Sequence, residues 1–181
     1  MLVAAAINGE VQVKGLSLFS EQADRNIMKA LAAAGVEVNQ IDDKISVSKS
    51  PLLAFEFDAT HCPDLFPPLA VLAAACDGVS KIKGVERLHN KESNRGLTLQ
   101  QELGKLGIEI ILDGNLMLVK GGKIAGGTIF SHHDHRIAIA AAVAGIIAEK
   151  PVIIQNAECV SKSWPSFFED LELLNVKIVK L

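Results

Sequence analysis

Apolar positions along this chain recur with two different periods, and the order of the two periods is repeated three times. Each repeat begins with a strand that ends near a turn residue, continues as a helix, and returns as a second strand. Within each predicted helix, apolar residues stand at i, i+4 and i+7, so they share one face. These stripes are Ile27/Leu31/Ala34, Leu99/Leu103/Leu106 and Phe167/Leu171/Leu174. The residues that follow them, and that tolerate a left-handed backbone, are Gly35, Gly107 and Asn175.

Two hairpins are predicted after the first two helices. The segment "VEVNQIDDKISVSK" should turn around Asp42-Asp43, and "IEIILDGNLMLVK" should turn at Asp113-Gly114, because Asp-Gly favours tight hairpins. The third repeat ends in a predicted strand, "VKIV", before any hairpin can form.

Two further segments are apolar on nearly all sides, one after "CPDLFPPL" and one after "HHDHR", and both are predicted to be buried helices. Repeated β-α-β-β units around buried helices predict an α/β fold with threefold pseudo-symmetry. The repeats are placed at about residues 10–50, 79–122 and 151–181, and residues 1–181 are predicted to form a single domain.

Composition narrows the class of protein. The chain has 181 residues, 49% of them hydrophobic and 22% charged, which is typical of a folded protein with a sizeable core. A net charge of -3 with 7 Phe, 1 Trp and no Tyr argues against nucleic-acid binding. The apolar runs are shorter than the roughly 20 residues of a membrane span, and the start does not resemble a signal peptide. Three cysteines without C-x-x-C spacing indicate reduced thiols, so a cytoplasmic location is predicted.

The segment "SHHDHR" allows three interpretations. His132, His133 and His135 could bind a metal, but they would not share one face of a helix, so no metal site is predicted. Alternatively, unpaired backbone N–H groups at a helix start and the planar fork of Arg136 could bind an anion, with Asp134 as an N-cap or as an orienter of Arg136. The segment could also be a solvated polar edge of a buried helix.

Three other polar stretches stand where a strand or loop gives way to a helix. "LHNKESNRG" carries Lys91, Glu92 and Arg95, "HCPDLFPPL" carries Asp64, and "CVSKSWPSFF" carries Lys162. Taken singly, each has an ordinary explanation as a charged helix entry, a helix cap or a solvated lysine.

Considered together, these stretches indicate one site. In a threefold repeat, the junctions between strands and helices can converge on one end of the domain. Three cations and two carboxylates there would bind a small molecule with two or three negative charges and could move protons. The set consists of Arg95, Arg136, Lys162, Asp64 and Glu92.

The four stretches, in this order and at comparable spacing, resemble the C-terminal part of the 3-phosphoshikimate 1-carboxyvinyltransferase (EPSP synthase) family. The resemblance covers most of residues 1–181. It implies the inside-out α/β barrel of the enolpyruvyl transferases, and a chain that begins within a strand. It also implies transfer of the enolpyruvyl group from phosphoenolpyruvate to the 5-hydroxyl of shikimate 3-phosphate, with release of phosphate. The family uses no metal and no cofactor, belongs to aromatic amino acid biosynthesis, and is the target of glyphosate.

The same resemblance implies a role for each site residue. Asp64 would contact the acceptor hydroxyl and accept its proton, and Glu92 would exchange a proton with the methylene carbon of phosphoenolpyruvate. Phosphoenolpyruvate would be held by Arg95, Arg136 and Lys162. Shikimate 3-phosphate would be contacted by Asp64 and Lys91.

Two residues and the length depart from the family pattern. Asn94 stands where the family usually has Asp, and His89 where it usually has Arg. Family members are much longer and close two similar domains over their substrates. The missing N-terminal domain of the same enzyme is therefore an expected partner, and the isolated chain is expected to have little or no activity.

Two alternatives remain open from the sequence. The chain could be similar to the related UDP-N-acetylglucosamine 1-carboxyvinyltransferases, although K-E-S-x-R followed by D-H-R favours the shikimate enzyme. It could also be a binding module that keeps the fold without the chemistry.

Overall fold

The computed structural model describes residues 1–15, 20–89, 91, 93–173 and 175–180, and these form an α/β fold, as predicted. The helices are α1 (Leu2–Asn8), α2 (Ile27–Ala33), α3 (Phe66–Ala74), α4 (Arg95–Gly104), α5 (His135–Gly145) and α6 (Phe167–Leu173). The strands are β1 (Glu10–Lys14), β2 (Val38–Ile41), β3 (Lys44–Ser48), β4 (Glu56–Asp58), β5 (Val79–Lys83), β6 (Glu109–Asp113), β7 (Leu116–Lys120), β8 (Gly127–Phe130) and β9 (Val152–Gln155).

The strands form three small sheets. The first has the order β1-β3-β2 and is antiparallel throughout. The second has the order β4-β5-β7-β6, in which β4 and β5 are parallel, and the third pairs β8 with β9 in parallel. Parallel neighbours need a crossover connection. The two crossovers contain α3 and α5, so the sheets fix where both helices begin.

The core is built on helices that are apolar on almost every side. In α3 nearly every residue is buried, and in α5 the buried residues run from Ile137 to Ala144 with two interruptions. Both predicted buried helices are therefore confirmed. A third was missed: the expected strand at the start of the chain is wrong, because residues 3–7 are buried within α1, which packs on α3. None of the helices in the described ranges is long and apolar enough to cross a membrane.

The predicted helix ends are confirmed by backbone angles. Gly35, Gly107 and Asn175 have φ values of 84°, 88° and 64°, all in the left-handed region. Leu174, the last residue of the third predicted stripe, lies outside the described residues.

One predicted hairpin turn is correct and the other is displaced by one residue. Ile41 pairs with Lys44, so the first hairpin turns at Asp42-Asp43 as expected. In the second hairpin Asp113 pairs with Leu116, which leaves Gly114-Asn115 as the turn. Glycine accordingly occupies the first turn position, with a φ of 55°.

The strand predicted at "VKIV" is wrong, because residues 176–180 have no strand conformation. A strand needs a partner edge, and this segment instead lies over a small apolar cluster beneath α6. Val176 and Ile178 pack against that cluster, which includes Phe167 and Leu171. The short strands β4 and β8 were not predicted, since three or four residues carry little periodicity.

Candidate active site

Asp64 is the centre of a cluster of cations. Its Oδ1 accepts a hydrogen bond from Arg95 Nη1 at 2.8 Å, and its Oδ2 accepts one from Arg136 Nη2 at 3.1 Å. Lys91 Nζ lies 3.2 Å from Oδ1. Three cations from two separate stretches of the chain therefore share one carboxylate, and the structure brings together four of the predicted site residues.

The local sequence explains why this carboxylate is available. Pro63 begins a single 3₁₀ turn that includes Asp64, and α3 begins two residues later at Phe66. Leu65 occupies the N-cap position of α3, and its side chain makes no capping hydrogen bond. The interpretation of Asp64 as a helix cap is therefore wrong. Its oxygens contact the three cations instead.

Arg95 connects Asp64 to a second carboxylate. It is the first residue of α4, and its side chain is 0% exposed. Its Nε donates to Asp134 Oδ2 at 2.9 Å, and its Nη2 contacts Asp134 Oδ1 at 3.3 Å. The planar guanidinium thus presents one edge to Asp134 and another to Asp64, a geometry that a lysine could not reproduce.

Asp134 acts as the predicted N-cap, but it orients a different arginine from the one expected. Its Oδ1 accepts the backbone N–H of Arg136 at 3.0 Å, which satisfies one free donor at the start of α5. Its carboxylate holds the side chain of Arg95 rather than that of Arg136. Ser93 Oγ donates a further hydrogen bond to Asp134 Oδ2 at 3.3 Å.

The turn before α5 has an unusual backbone. His132 and His133 have φ values of 53° and 59°, so two consecutive residues other than glycine are left-handed, at a cost of roughly 1 kcal/mol each. His132 Nε2 lies 2.8 Å from Glu102 Oε1. The exposed side chain of Lys162 donates to the His133 carbonyl at 3.1 Å, so this fourth predicted cation also reaches the start of α5.

The electrostatic balance of the cluster favours an anionic ligand. Partial burial by itself would raise the pKa of Asp64, but the nearby charges of Arg136, Lys91 and Arg95 outweigh burial and hold that pKa below its usual value. Three cations against the carboxylates of Asp64 and Asp134 leave an excess of one positive charge. Lys91 and Arg136 are 27% and 32% exposed, so a ligand can reach both side chains.

The two departures from the family pattern contact each other. Asn94 caps α4, because its Oδ1 accepts the backbone N–H of Leu97 at 3.4 Å. Its Nδ2 lies 3.3 Å from His89 Nδ1. Glu92, the expected proton donor, lies outside the described residues.

The side chains of His132 and His133 contact residues outside the cation-rich cluster. His132 contacts Glu102, and the rings of His132 and His133 meet the edge of Phe130 at centroid distances of 5.0 and 5.7 Å. Within the described part of the chain, no three His, Cys, Asp or Glu side chains are grouped so that they could hold a metal ion.

Sequence reasoning missed three contributors, namely Ser93, Glu102 and the link from Asp134 to Arg95. Ser93 belongs to the K-E-S-x-R motif but was assigned no role of its own, and Glu102 belongs to no motif. Asp134 was identified only as a local cap, since its pairing with Arg95 spans 39 positions and depends on how α4 packs against α5.

Fold and site together define an α/β domain with a cation-rich site at the starts of its helices. The family model for EPSP synthase (3-phosphoshikimate 1-carboxyvinyltransferase) matches residues 1–171. The chain therefore belongs to the EPSP synthase family.

Individual relatives give the same result. A 3-phosphoshikimate 1-carboxyvinyltransferase of Aeropyrum pernix is 41% identical over 179 residues, which cover 98% of this chain and 42% of the relative. One from Clostridium acetobutylicum is 41% identical over 175 residues, covering 96% and 40%. The solved structure of an EPSP synthase from Acinetobacter baumannii has a TM-score of 0.85 at 26% identity, and the match covers 96% of this chain and 44% of that one. The chain thus spans about two fifths of the length of these relatives.

Proposed function

We propose that this chain is the part of an EPSP synthase that holds phosphoenolpyruvate and activates the acceptor hydroxyl. The reaction is transfer of the enolpyruvyl group to the 5-hydroxyl of shikimate 3-phosphate, with release of phosphate. The observation that carries the proposal is the convergence of Lys91, Arg95 and Arg136 on Asp64. These are the residues to which the family resemblance gives a role.

The cations suit the charge of phosphoenolpyruvate, which carries one carboxylate and one phosphate. Arg136 offers a planar fork that matches either group, and Lys162 offers a point charge on an exposed side chain. Arg95 offers a second fork, but its side chain is 0% exposed and bonded to Asp64, so phosphoenolpyruvate would have to displace Asp64 to reach it. Arg95 is held rigidly by Asp134, so little freedom is lost when it binds a ligand. Lys91, which is partly exposed beside Asp64, is assigned to shikimate 3-phosphate.

Asp64 is proposed as the base that accepts the proton of the acceptor hydroxyl. While three cations contact it, this carboxylate is a weak base, because they lower its pKa. Anionic substrates compete for the same cations. Their binding therefore weakens those contacts and raises the basicity of Asp64 when the hydroxyl is in place.

Glu92 is proposed as the acid, on the strength of the family resemblance and of its neighbours. The flanking residues Lys91 and Ser93 contact Asp64 and Asp134, and Glu92 stands between them in the sequence. The hydroxyl oxygen bonds to C2 of phosphoenolpyruvate while Glu92 gives a proton to C3. The C2–O bond to phosphate then breaks, and Glu92 takes a proton back from C3, which restores the double bond.

The remaining three fifths of the relatives' length is the proposed partner of this domain, as the N-terminal part of the same enzyme. A chimera tests this, with the present chain in place of the matching segment of the Aeropyrum pernix relative. We expect phosphate release that requires both phosphoenolpyruvate and shikimate 3-phosphate. A chimera that accepts UDP-N-acetylglucosamine instead would indicate the related enzyme, and a folded chimera without turnover on either acceptor would indicate a non-catalytic module.

A further inference from the structure

The turn between β8 and α5 fixes several contacts of the site at once. Asp134 accepts the hydrogen bonds of Arg95, and the carbonyl of His133 accepts that of Lys162. Arg136 follows directly in the first turn of α5. Any displacement of this turn would move all three cations, so the groups that hold it in place affect the geometry of the whole site.

Helix α4 holds this turn at two points. Arg95, its first residue, bonds to Asp134 at the end of the turn. Glu102 stands seven residues later and therefore lies two turns along the same face. Its Oε2 accepts the backbone N–H of Phe130 at 2.9 Å, and its Oε1 lies 2.8 Å from His132 Nε2.

At the second of these contact points, the carboxylate of Glu102 is buried and paired. Glu102 is 3% exposed, and Lys105 Nζ contacts its two oxygens at 2.8 and 2.7 Å. An ionised carboxylate can only accept hydrogen bonds, so Nε2 of His132 is the donor in this contact. The left-handed conformation of His132 is unfavourable by itself, and the hydrogen bond to Glu102 offsets this preference.

We propose that Glu102 and His132 are a positioning pair for the cation-rich site. They touch neither substrate in the proposed reaction, and they act through the turn by fixing Asp134 and the His133 carbonyl where Arg95 and Lys162 meet them. What the site binds rests on the proposed function, but whether the pair positions the turn is measurable without any substrate.

The first test is hydrogen exchange by NMR in the full 181-residue chain. His132→Asn removes the ring but keeps a residue that tolerates the left-handed conformation, so it isolates the hydrogen bond from the backbone angle. We expect exchange of the Arg95 Nε–H and the Arg136 amide to accelerate on the order of tenfold, with the amides of the β6–β7 hairpin unchanged. Glu102→Gln keeps one acceptor oxygen and should give an intermediate effect. The exposed variant Glu56→Gln is the control.

Two results would overturn the proposal: equal acceleration at all sites, which indicates a general loss of stability, or no acceleration at Arg95. The second test is the dissociation constant for phosphoenolpyruvate, which His132→Asn should raise about tenfold, the usual size for loss of a group that orients a ligand-binding residue. If the unsubstituted chain binds no phosphoenolpyruvate, the proposed function fails for the isolated chain, while the exchange data still decide the role of the pair.

Discussion

Arg95 and Asp134 form an ion pair that is completely shielded from solvent. The two side chains are each 0% exposed and are joined by hydrogen bonds of 2.9 and 3.3 Å. Charges removed from water in this way stabilise a protein only while both are present, because a single remaining charge keeps its desolvation penalty. The pair also ties the start of α4 to the start of α5. Stability and site geometry therefore depend on the same contact.

Arg95→Met should lower the free energy of unfolding by about 3–5 kcal/mol, since Asp134 would remain buried without its partner. Chemical denaturation followed by circular dichroism measures this. Arg136→Met is the matched control and should cost about 1 kcal/mol or less, because that side chain is 32% exposed. The double variant Arg95→Met/Asp134→Asn should be more stable than Arg95→Met alone. If it is less stable, the interpretation of an uncompensated charge is wrong.

Asp64→Asn should reduce kcat of the chimeric enzyme by about 10²- to 10⁴-fold, the usual loss when a general base is removed. Asparagine keeps the shape of the side chain but cannot take a proton. Glu56→Gln, which removes a carboxylate from an exposed ion pair with Lys81, is the control and should leave kcat unchanged. A kcat for Asp64→Asn within a factor of three of the parent would mean that another group accepts the proton.

The sequence was sufficient for the parts of the fold that depend on local pattern. Helices α3 and α5 are apolar all round, so their burial could be predicted, and Gly35 and Gly107 marked helix ends. Helix α1 has equally apolar residues, but the family resemblance implied a strand there, and seven residues are too few for their periodicity to indicate otherwise.

Several residues of the cation-rich site could be predicted from the sequence, but the pairing of their side chains could not. The types of the residues and their positions before helices indicated Asp64, Arg95 and Arg136, since charge at a helix start is a local property. The pairing of Arg95 with Asp134 could not be predicted, because it depends on the packing of two helices whose contact leaves no periodic signal.

Glu102 should make the stability of the chain depend on pH in acid. Burial would raise its pKa, but Lys105, His132 and the Phe130 N–H together hold that pKa below the ordinary value of 4.5. The folded protein therefore binds this proton less readily than the unfolded chain does. The stabilisation is complete above about pH 5.5 and is lost as the pH falls through 4.5 towards the folded pKa.

Unfolding free energies of the parent and of Glu102→Gln, measured between pH 3 and pH 7, test this pH dependence. The difference between the two proteins should shrink as the pH falls below about 5.5. Asp64 has a lowered pKa as well, but it is present in both proteins and cancels in the difference. A difference that grows as the pH falls would show that the pKa of Glu102 is raised in the folded protein.

Gly121 should be intolerant of any side chain, whereas its neighbour Gly122 should accept one. A Cβ atom at Gly121 would overlap the carbonyl oxygen of Cys76, which lies just beyond the C-cap of α3. The Gly121 N–H also donates to the Gly78 carbonyl at 2.8 Å. Because backbone lies on both sides of the overlap, no rotamer change relieves it. Gly121→Ala should therefore lower the free energy of unfolding by about 1–3 kcal/mol. A Cβ at Gly122 meets no atom of the described residues within 4 Å, so Gly122→Ala should change that free energy by about 0.5 kcal/mol or less. Equal effects of the two substitutions, measured by urea denaturation, would contradict the close approach of the two segments.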